Sequence, residues 1–418
     1  MVTVFRAPRL LTHADAPLVD DGAVVVDGER IVAAGAWSEI EVPAPAQVRE
    51  LDDVTLLPGL VDAHVHLAMD AEPTSTGTDL SRPDAELALV MAQSARRLLD
   101  AGVTTARDLG CPGTLSVAVR DAIAARRIPG PRMLVANAPI TVTGGHAWAM
   151  GGEADTAEDV VRQVRLRAKE GADLVKIMTT GGFMTAGSRP WHARYTVEHL
   201  SAGVDEAHRL GMRVTTHALG VEGIARAVAA GVDSIEHCAW LTETGSRFDP
   251  AVAARMVAAG IAVCPTMNTA CLPEPYFCPW DSRAAVLDNL RAMHAAGLEI
   301  IAGTDAGIGM VPFQRYADGL DILGEAGMSP RQVLAAATAK AARACGLASV
   351  TGTLAPGMAA DVLAVPGDPT EDLSVLHRPL FVLARGDEHA CAPAGEPTGD
   401  AATAERIRAT LTAGAGRA

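Results

Sequence analysis

The stretch "LLPGLVDAHVHLAMD", residues 56–70, places two histidines one residue apart, directly after an apolar run that contains a Pro-Gly turn. Because side chains alternate across a strand, His64 and His66 would point to the same side of it. Two imidazoles aimed at one point can bind a metal ion. They can also be solvated loop residues, or histidines satisfied within a core. The spacing alone leaves all three interpretations open.

The composition limits the class of protein. The chain has 418 residues, of which 49% are hydrophobic, and its mean hydropathy is +0.18, so it can build a large core. The net charge of −15 argues against nucleic acid and against an anionic membrane surface as partners. No apolar run is long enough for a transmembrane helix, and the N-terminus lacks the apolar stretch of a signal peptide. Seven scattered cysteines without a Cys-x-x-Cys pair favour a reducing cytoplasm.

Two β-rich ends flank a different middle. Residues 1–57 contain two β-rich runs around Asp27-Gly28, which predict a hairpin. Residues 350–390 have a similar character. We expect these two segments to form one small β-sandwich domain from both chain ends. Residues 391–418 are rich in Ala, Gly and Thr and are expected to be a C-terminal tail.

The middle, residues 58–349, alternates strand-like apolar runs with Ala-rich helical stretches, several of which end in Gly. Eight strands are predicted, at residues 60–66, 103–108, 132–137, 173–178, 212–217, 232–237, 261–266 and 299–305. Eight buried parallel strands joined by helices predict an α/β fold, a (β/α)8 or TIM barrel.

Barrel enzymes place their chemistry at the carboxyl ends of the strands. Five of the predicted strands carry ionisable residues there, namely His64 with His66, Lys176, His217, His237 and Asp305. Burying so many ionisable groups without a compensating charge would cost several kcal/mol each. A divalent cation supplies that charge, and imidazole with carboxylate is a ligand set that suits Zn²⁺. The pattern therefore predicts a metal site.

Lys176 does not fit this ligand set as an ammonium group, because a lysine cation cannot coordinate a metal. One interpretation is a lysine that forms a salt bridge with a nearby carboxylate. The other is a desolvated, neutral amine. Such an amine can react with CO₂ to give a carbamate, an anion whose two oxygens could bridge two metal ions.

The chain carries the motifs "PGLVDAHVH", "VTTARDLG", "TGGHAW", "DLVKIMTTGG", "THALGVEGI", "AGVDSIEHC" and "AGTDAG". Together they resemble the amidohydrolase superfamily over roughly residues 20–385. Within it, the chain is similar to the imidazolonepropionase-related branch of metal-dependent dipeptidases (prolidases), ochratoxinase-like amidases and phenylurea hydrolases.

The resemblance implies two divalent metal ions, with zinc the expected element. It assigns His64, His66 and Asp305 to the first ion and His217 with His237 to the second. A carboxylated Lys176 and a hydroxide would bridge them. Asp305 would take the proton of the attacking water and pass it to the leaving amine. The adenosine-deaminase branch needs a Glu three residues after the strand-5 histidine, where this chain has Gly220. The sequence therefore argues against a deaminase of that type.

Residues around the predicted metal site indicate what the pocket binds. His146 lies where the branch places a substrate-contacting histidine, and we expect it to bind substrate and to take part in catalysis. Aromatic residues make up only 3% of the chain, yet most fall in predicted loops on the catalytic side. An apolar, aromatic-lined pocket is therefore expected, with substrate-binding residues Trp148, Trp191, Trp240 and Trp280. The stretch "CLPEPYFCPW", residues 271–280, is predicted to be a lid.

One position departs from the dipeptidases of the branch. They often hold the substrate carboxylate with a Tyr two residues after the strand-5 histidine, and here that position is Leu219. No arginine obviously replaces it, although Arg189 and Arg194 lie in the predicted loop after strand 4. Leu219 is therefore expected to contact the substrate as an apolar residue.

The leading hypothesis is a cytoplasmic binuclear metal hydrolase that uses a metal-bridging hydroxide. It would cleave an amide-type C–N bond in an N-acyl amino acid, a dipeptide or an apolar or aryl amide. The alternatives are a carbamate or urea hydrolase, a lyase or decarboxylase on the same metals, and a non-catalytic metal-binding protein. A small-molecule substrate and a homo-oligomer are expected, with no nucleic-acid or membrane partner.

Overall fold

The computed structural model describes residues 2–71, 80, 82–273, 276–394 and 404–409. Its strands are β1 (Val2–Leu10), β2 (Val19–Asp27), β3 (Arg30–Ala36), β4 (Ala46–Glu50), β5 (Val54–Pro58), β6 (Leu60–Val65), β7 (Val103–Asp108), β8 (Arg132–Val135), β9 (Leu174–Met178), β10 (Arg213–Gly220), β11 (Ser234–Thr242), β12 (Gly245–Ser246), β13 (Ala262–Cys264), β14 (Glu299–Ile300), β15 (Val362–Pro366), β16 (Phe381–Ala384) and β17 (Asp387–Ala390).

The α-helices between them are α1 (Asp84–Asp100), α2 (Leu115–Ala124), α3 (Ala157–Lys169), α4 (Val197–Arg209), α5 (Val221–Ala230), α6 (Pro250–Ala259), α7 (Arg283–Ala295), α8 (Tyr316–Glu325), α9 (Pro330–Ala337) and α10 (Ala339–Ala344). Residues 404–409 form a further short segment, the C-terminal helix. None of the described helices combines the length and the apolar character needed to cross a bilayer.

Strands from both chain ends share one sheet. Its order is β17-β16-β15-β5-β1-β2-β3, and β4 also pairs with β1. The two ends meet where β15 runs antiparallel to β5, with Val362 opposite Pro58. The predicted hairpin around Asp27-Gly28 is confirmed as β2 and β3, and Gly28 takes the left-handed conformation that the turn requires (φ 56°).

Parallel strands and helices alternate through the middle of the chain, which places the fold in the α/β class. One parallel sheet has the order β6-β7-β8, and a second contains β14-β13-β11-β10-β9. Each of the eight predicted strand windows overlaps one of these strands, and β10 and β11 continue beyond their windows to Gly220 and Thr242.

Several predicted strands are longer than the observed ones, and left-handed residues account for two of them. The strand predicted at 132–137 ends at Val135, because Asn137 has a positive φ of 57°. The strand predicted at 299–305 is regular only over Glu299–Ile300, and Asp305 also has a positive φ, of 63°. A left-handed residue turns the chain away from the extended ladder.

Hydrogen bonds join the two parallel sheets at both edges. On one side, the Ile140 N–H donates to the Lys176 carbonyl oxygen at 2.8 Å, which continues the ladder from β8 to β9. On the other side, the Asp305 N–H donates to the His64 carbonyl oxygen at 2.7 Å, which brings the segment after β14 against β6. The first and last of the parallel strands are therefore neighbours in space.

Local sequence signals fix where several helices begin and end. Thr156 starts α3 with a capping box completed by Asp159, and Asp249 caps α6 just before a proline at its first position. Gly231 and Gly260 end α5 and α6 in the left-handed conformation. These stops return the chain to the next strand and so set where each strand's carboxyl end lies.

Candidate active site

The first group of predicted ligands converges on one point. The Nε2 atoms of His64 and His66 lie 3.3 Å apart. Oδ1 of Asp305 lies 3.2 Å from the first and 3.1 Å from the second. His64 and Asp305 are brought together by the hydrogen bond that joins the segment after β14 to β6.

The other ring nitrogens of the two histidines are already occupied. Nδ1 of His64 contacts a carboxylate oxygen of Glu236 at 2.8 Å, and Nδ1 of His66 faces the Gly110 carbonyl at 3.4 Å. A ring nitrogen that donates to such an acceptor leaves the opposite nitrogen as a lone pair. Two lone pairs and a carboxylate oxygen then face one another, an arrangement that a cation would stabilise.

The second group of predicted ligands packs beside the first, with the rings edge-on or tilted. The rings of His217 and His237 lie 4.5 Å apart between centroids, and those of His64 and His237 lie 5.2 Å apart. Nδ1 of His237 contacts the Thr266 hydroxyl at 2.8 Å. Burial lowers the pKa of His237 to about 3 and that of His217 well below its usual range. Both rings are therefore neutral at physiological pH, as metal coordination requires.

Lys176 lies in the same cavity without a partner. Its side chain is 1% exposed and, in the described part of the chain, its Nζ atom has no hydrogen-bond acceptor. Burial lowers its pKa to about 8. A buried amine that makes no hydrogen bond is costly to keep.

Backbone strain concentrates at these residues. His237 has a φ of 68°, Thr266 of 54° and Asp305 of 63°. Non-glycine residues rarely adopt this left-handed region, which costs about 1–3 kcal/mol for each residue held there. All three residues line the cavity, so the strained backbone lies at the site itself.

A buried ion pair behind the histidines is a functional feature that the sequence reasoning missed. Glu236 is fully buried; it accepts a hydrogen bond from Arg107 Nη2 at 2.7 Å and another from the Thr215 hydroxyl. Arg107 in turn donates from Nε to the Ala63 carbonyl at 2.7 Å. The available signal was an arginine and a glutamate inside otherwise apolar strands, at positions 107 and 236.

Two buried aspartates, also missed, hold the backbone around the site. Asp62 accepts from the His64 N–H at 3.1 Å and from the Thr304 N–H at 3.0 Å. Asp108 accepts from the N–H groups of Leu67 at 3.1 Å and Gly110 at 3.1 Å. The segments that follow β6, β7 and β14 are thereby tied together through side chains.

A cavity of about 440 Å³ opens over the histidine cluster. Its lining includes the six predicted metal ligands, and also His146, Trp148 and Leu219. His146 packs on His217 with ring centroids 4.6 Å apart. Burial lowers the pKa of His146 to about 4. A glycine is needed beneath it, because a Cβ at Gly182 would come within 2.5 Å of the His146 ring.

The structure places the other three predicted tryptophans behind the wall of the cavity. Among the described residues that line it, Trp191, Trp240 and Trp280 are absent. Trp240 is fully buried against Phe248, and Trp191 contacts Trp280. Much of the lining is aliphatic or sulfur-containing, with Met69, Met178, Met184, Met267, Met293, Cys238, Cys271, Cys278, Leu241 and Leu290.

The predicted lid, residues 271–280, contains Glu274 and Pro275, which lie outside the described residues. Its described members Cys271, Tyr276, Phe277 and Cys278 line the cavity.

The C-terminal helix holds this segment from outside. Arg408 Nη1 donates to the carbonyl oxygens of Tyr276 at 2.9 Å and Cys278 at 3.1 Å. Ala404 is fully buried, so part of the region predicted as a tail packs against the cavity wall.

The sequence and the fold are similar to those of known proteins along most of their length. The model of a family described as the amidohydrolase family matches residues 55–388. The ochratoxinase of Aspergillus niger is 29% identical over 424 aligned positions, which cover 91% of this chain and 84% of that protein. The imidazolonepropionase of Rhizorhabdus wittichii is 27% identical, over 86% of this chain and 92% of that protein.

Solved structures agree. A crystal structure of a Xaa-Pro dipeptidase with methionine bound in its active site has a TM-score of 0.82 and 28% identity, covering 93% of this chain and 100% of that one. The crystal structure of A. niger ochratoxinase has a TM-score of 0.80 and 28% identity, covering 95% and 97%.

The contact between Glu236 and His64 yields the first prediction. Glu236→Gln keeps the shape of the side chain but removes the charge that orients His64 and pairs with Arg107. We expect Zn²⁺ affinity to fall by about 10- to 100-fold, the usual effect of losing such a partner. Chelator competition measures it, with the exposed Glu243→Gln as a matched control. Affinity unchanged from the wild type would show that the carboxylate does not support the ligand.

The C-terminal helix yields the second prediction. Arg408→Ala removes two hydrogen bonds to the cavity wall, each contributing about 0.5–1.5 kcal/mol. Hydrogen exchange at residues 276–280 is expected to accelerate by about 5-fold or more, while exchange in the central strands stays unchanged. Glu405→Ala, an exposed change on the same helix, is the control. Equal exchange in Arg408→Ala and wild type would mean that the helix does not hold the wall.

Proposed function

The chain belongs to the amidohydrolase family, whose members here include hydrolases of carbon–nitrogen bonds, and we propose that it is a binuclear metal-dependent amidohydrolase cleaving an amide-type C–N bond. The family resemblance predicted from the motifs is confirmed by the match over residues 55–388. The chain is accordingly a hydrolase acting on carbon–nitrogen bonds. The number of metal ions, the mechanism and the substrate class are the proposal.

One observation carries the proposal. The Nε2 atoms of His64 and His66 and the Oδ1 atom of Asp305 meet within 3.3 Å in the cavity, and Oδ1 of Asp305 has no hydrogen-bond donor in the described residues. Buried acceptors that face one another without a donor repel, and a cation removes the repulsion. The residues present therefore fit a metal ion.

The proposed ligand sets follow from this arrangement. His64, His66 and Asp305 would hold one ion, and His217 with His237 would hold the other. Imidazole and carboxylate suit zinc. The ions, when bound, would lower the pKa of a shared water to near neutrality and polarise the scissile carbonyl.

Lys176 is proposed to be carboxylated and to bridge the two ions. Its Nζ atom is buried with no acceptor among the residues that the structure describes, and its lowered pKa raises the fraction of neutral amine. A neutral amine adds to CO₂ and loses one proton to give a carbamate. The carbamate would replace a buried amine that lacks a hydrogen-bond acceptor. Its negative charge would offset part of the charge of the two cations.

Asp305 is proposed to move the proton. Its carboxylate lies 3.1–3.2 Å from two ligand nitrogens, in the cavity where the substrate would bind. It would accept a proton from the attacking water and deliver it to the leaving amine. His146 would face the substrate as a neutral ring, since burial lowers its pKa to about 4. Trp148 and Leu219 lie in the same lining and give it apolar surface.

A carbamate or urea hydrolase is the second candidate. Leu219 stands where dipeptidases of the branch often carry a carboxylate-holding tyrosine. It is buried and lines the cavity. Neither Arg189 nor Arg194 is among the described residues of that lining. A substrate without a carboxylate suits such a wall.

The larger architecture is part of the same proposal. The eight parallel strands β6 to β11, β13 and β14 would form a closed barrel, supported by the hydrogen bonds at both edges of the two parallel sheets. Residues 1–57 with 350–390 would be the β-sandwich domain, 58–349 the barrel and 391–418 the C-terminal tail. All seven cysteines are free thiols, which supports a reducing cytoplasm. Assembly into a homo-oligomer remains an expectation.

The function is tested with enzyme loaded with Zn²⁺ or Mn²⁺ in bicarbonate. Dipeptides, N-acyl amino acids, aryl amides, aryl carbamates and aryl ureas are supplied, and the released amine and acid are identified by mass spectrometry. We expect amine release from at least one class and about two metal equivalents per chain. Absence of turnover across the panel would refute the proposal. Release of CO₂ from a substrate whose C–N bonds all stay intact would refute it as well.

Lys176 gives a second test. Lys176→Ala is expected to abolish measurable activity, and added short carboxylic acids to restore part of it, because they replace the anionic bridge. Metal content before and after addition is measured alongside the rate. Wild-type rates in the variant without added acid would refute the proposal that a carboxylated Lys176 is needed for activity.

Asp305 gives a third test. Asp305→Asn keeps the shape and an oxygen ligand but removes the base, so kcat is expected to fall by about 10²–10⁴-fold. A rise in KM with kcat unchanged would contradict the role, because only binding of the ground state would then have been lost.

A further inference from the structure

The cavity carries one charged group that the proposed chemistry does not use. Apart from the six ligand residues and His146, Asp281 is the only Asp, Glu, Lys, Arg or His among the described lining residues. It directly precedes Ser282, which caps the N-terminus of α7. A carboxylate in a largely apolar wall is costly to bury unless a cation or hydrogen-bond donors accompany it.

The protein provides Asp281 with neutral donors only. Oδ1 accepts a hydrogen bond from the Ser282 N–H at 2.8 Å and another from the Ser246 hydroxyl at 3.3 Å. No described residue forms an ion pair with it, and the nearby Arg283 instead pairs with Glu325. Oδ2 has no hydrogen bond within the described chain. Burial raises the pKa of Asp281 to about 6, so the group is still mostly ionised at neutral pH.

A second acceptor lines the same cavity. Asn289 is buried on α7 and donates one of its two Nδ2 hydrogens to the Ala239 carbonyl at 2.9 Å. This leaves the amide oxygen, for which the described residues offer no donor. The neighbouring lining positions on the helix are Val286, Leu290 and Met293. The wall made by α7 thus combines apolar side chains with two oxygens that can only accept hydrogen bonds.

We propose that Asp281 and Asn289 determine specificity, each accepting a hydrogen bond from its own substrate N–H group, an ammonium at Asp281, on a part of the substrate remote from the scissile bond. The inference rests on the proposed amide hydrolysis and narrows its substrate class. An amide or related substrate with an apolar segment and a basic nitrogen fits the cavity. A substrate with a carboxylate beside Asp281 is disfavoured, because the two negative charges would repel each other in a largely apolar wall.

Asp281 also has a structural role, and the test has to separate the two. A carboxylate just before a helix is stabilised by the helix dipole and by the Ser282 N–H. That role uses Oδ1 and does not depend on what is bound in the cavity. Asp281→Asn retains an oxygen that can accept this hydrogen bond, so it removes the charge with little change in shape.

The experiment uses three aryl amides of equal length that end in an aminomethyl, an ethyl or a carboxylate group. In the wild type, kcat/KM is expected to rank them in that order. Asp281→Asn should lower the value for the ammonium substrate by about 10- to 100-fold, the usual worth of a hydrogen bond to a charged group. The value for the ethyl substrate should stay unchanged and that for the carboxylate should rise.

Asp288→Asn is the matched control, because Asp288 lies on the same helix with a 74% exposed side chain and pairs with Arg291. Asn289→Asp, which adds a second anion to the wall, should increase the preference for the ammonium substrate. Thermal unfolding of each variant shows whether α7 is intact. A wild type that does not distinguish the three substrates overturns the inference, as does an equal loss on all three in a folded Asp281→Asn.

Binding without turnover separates this inference from the proposed function. An arylalkylamine and the alcohol of the same length are titrated by calorimetry into metal-loaded wild type and Asp281→Asn. Tighter binding of the amine to wild type only, with no turnover of any amide, would leave the inference standing and the proposed function refuted. Equal binding of amine and alcohol in an enzyme that hydrolyses amides would refute the inference alone.

Discussion

Two imidazole lone pairs and one carboxylate oxygen meet within 3.3 Å of one another in a largely buried place, and the surrounding structure holds them there. Such an arrangement is unfavourable without a cation, so it persists only when the fold over-determines it. The left-handed backbone of His237 and Asp305 shows part of the cost. Each histidine is fixed at its second nitrogen, and the strand ends are tied by Asp62 and Asp108.

Buried charged residues surround the three facing ligand atoms in a defined order. Arg107 lies beneath Glu236 and, against the effect of burial, holds the pKa of that carboxyl below its usual range. Glu236 then orients His64. Burial raises the pKa of Asp62 and of Asp108 to about 6, and backbone N–H groups partly offset this rise. A buried ion pair adds little net stability but is costly to break on one side, so its value here is the direction it gives to the ligand ring.

The ligand strands could be predicted because ionisable residues are conspicuous inside apolar runs, and His64, Lys176, His217, His237 and Asp305 all line one cavity. The partners behind them could not, since Arg107 and Glu236 are separated by 129 positions in the chain. Loop orientation was equally out of reach. Trp240 was expected to face the substrate, but it lies within β11 with a positive φ of 56°, and its indole is fully buried against Phe248. The predicted strand lengths were wrong where a left-handed residue ends the strand pairing, as at Asn137 after β8.

The seam between β6 and the segment after β14 has a consequence for biosynthesis. Asp62 and Thr304 are bonded across 242 positions, and the sheet of the chain ends pairs β5 with β15 across a still longer separation. Contacts of this range form late and slowly, because loop closure must come first. On the ribosome, His64 and His66 emerge long before Asp305 is made. The nascent chain therefore cannot assemble the complete proposed ligand set, and loading of the proposed metal ions would follow synthesis of nearly the whole polypeptide.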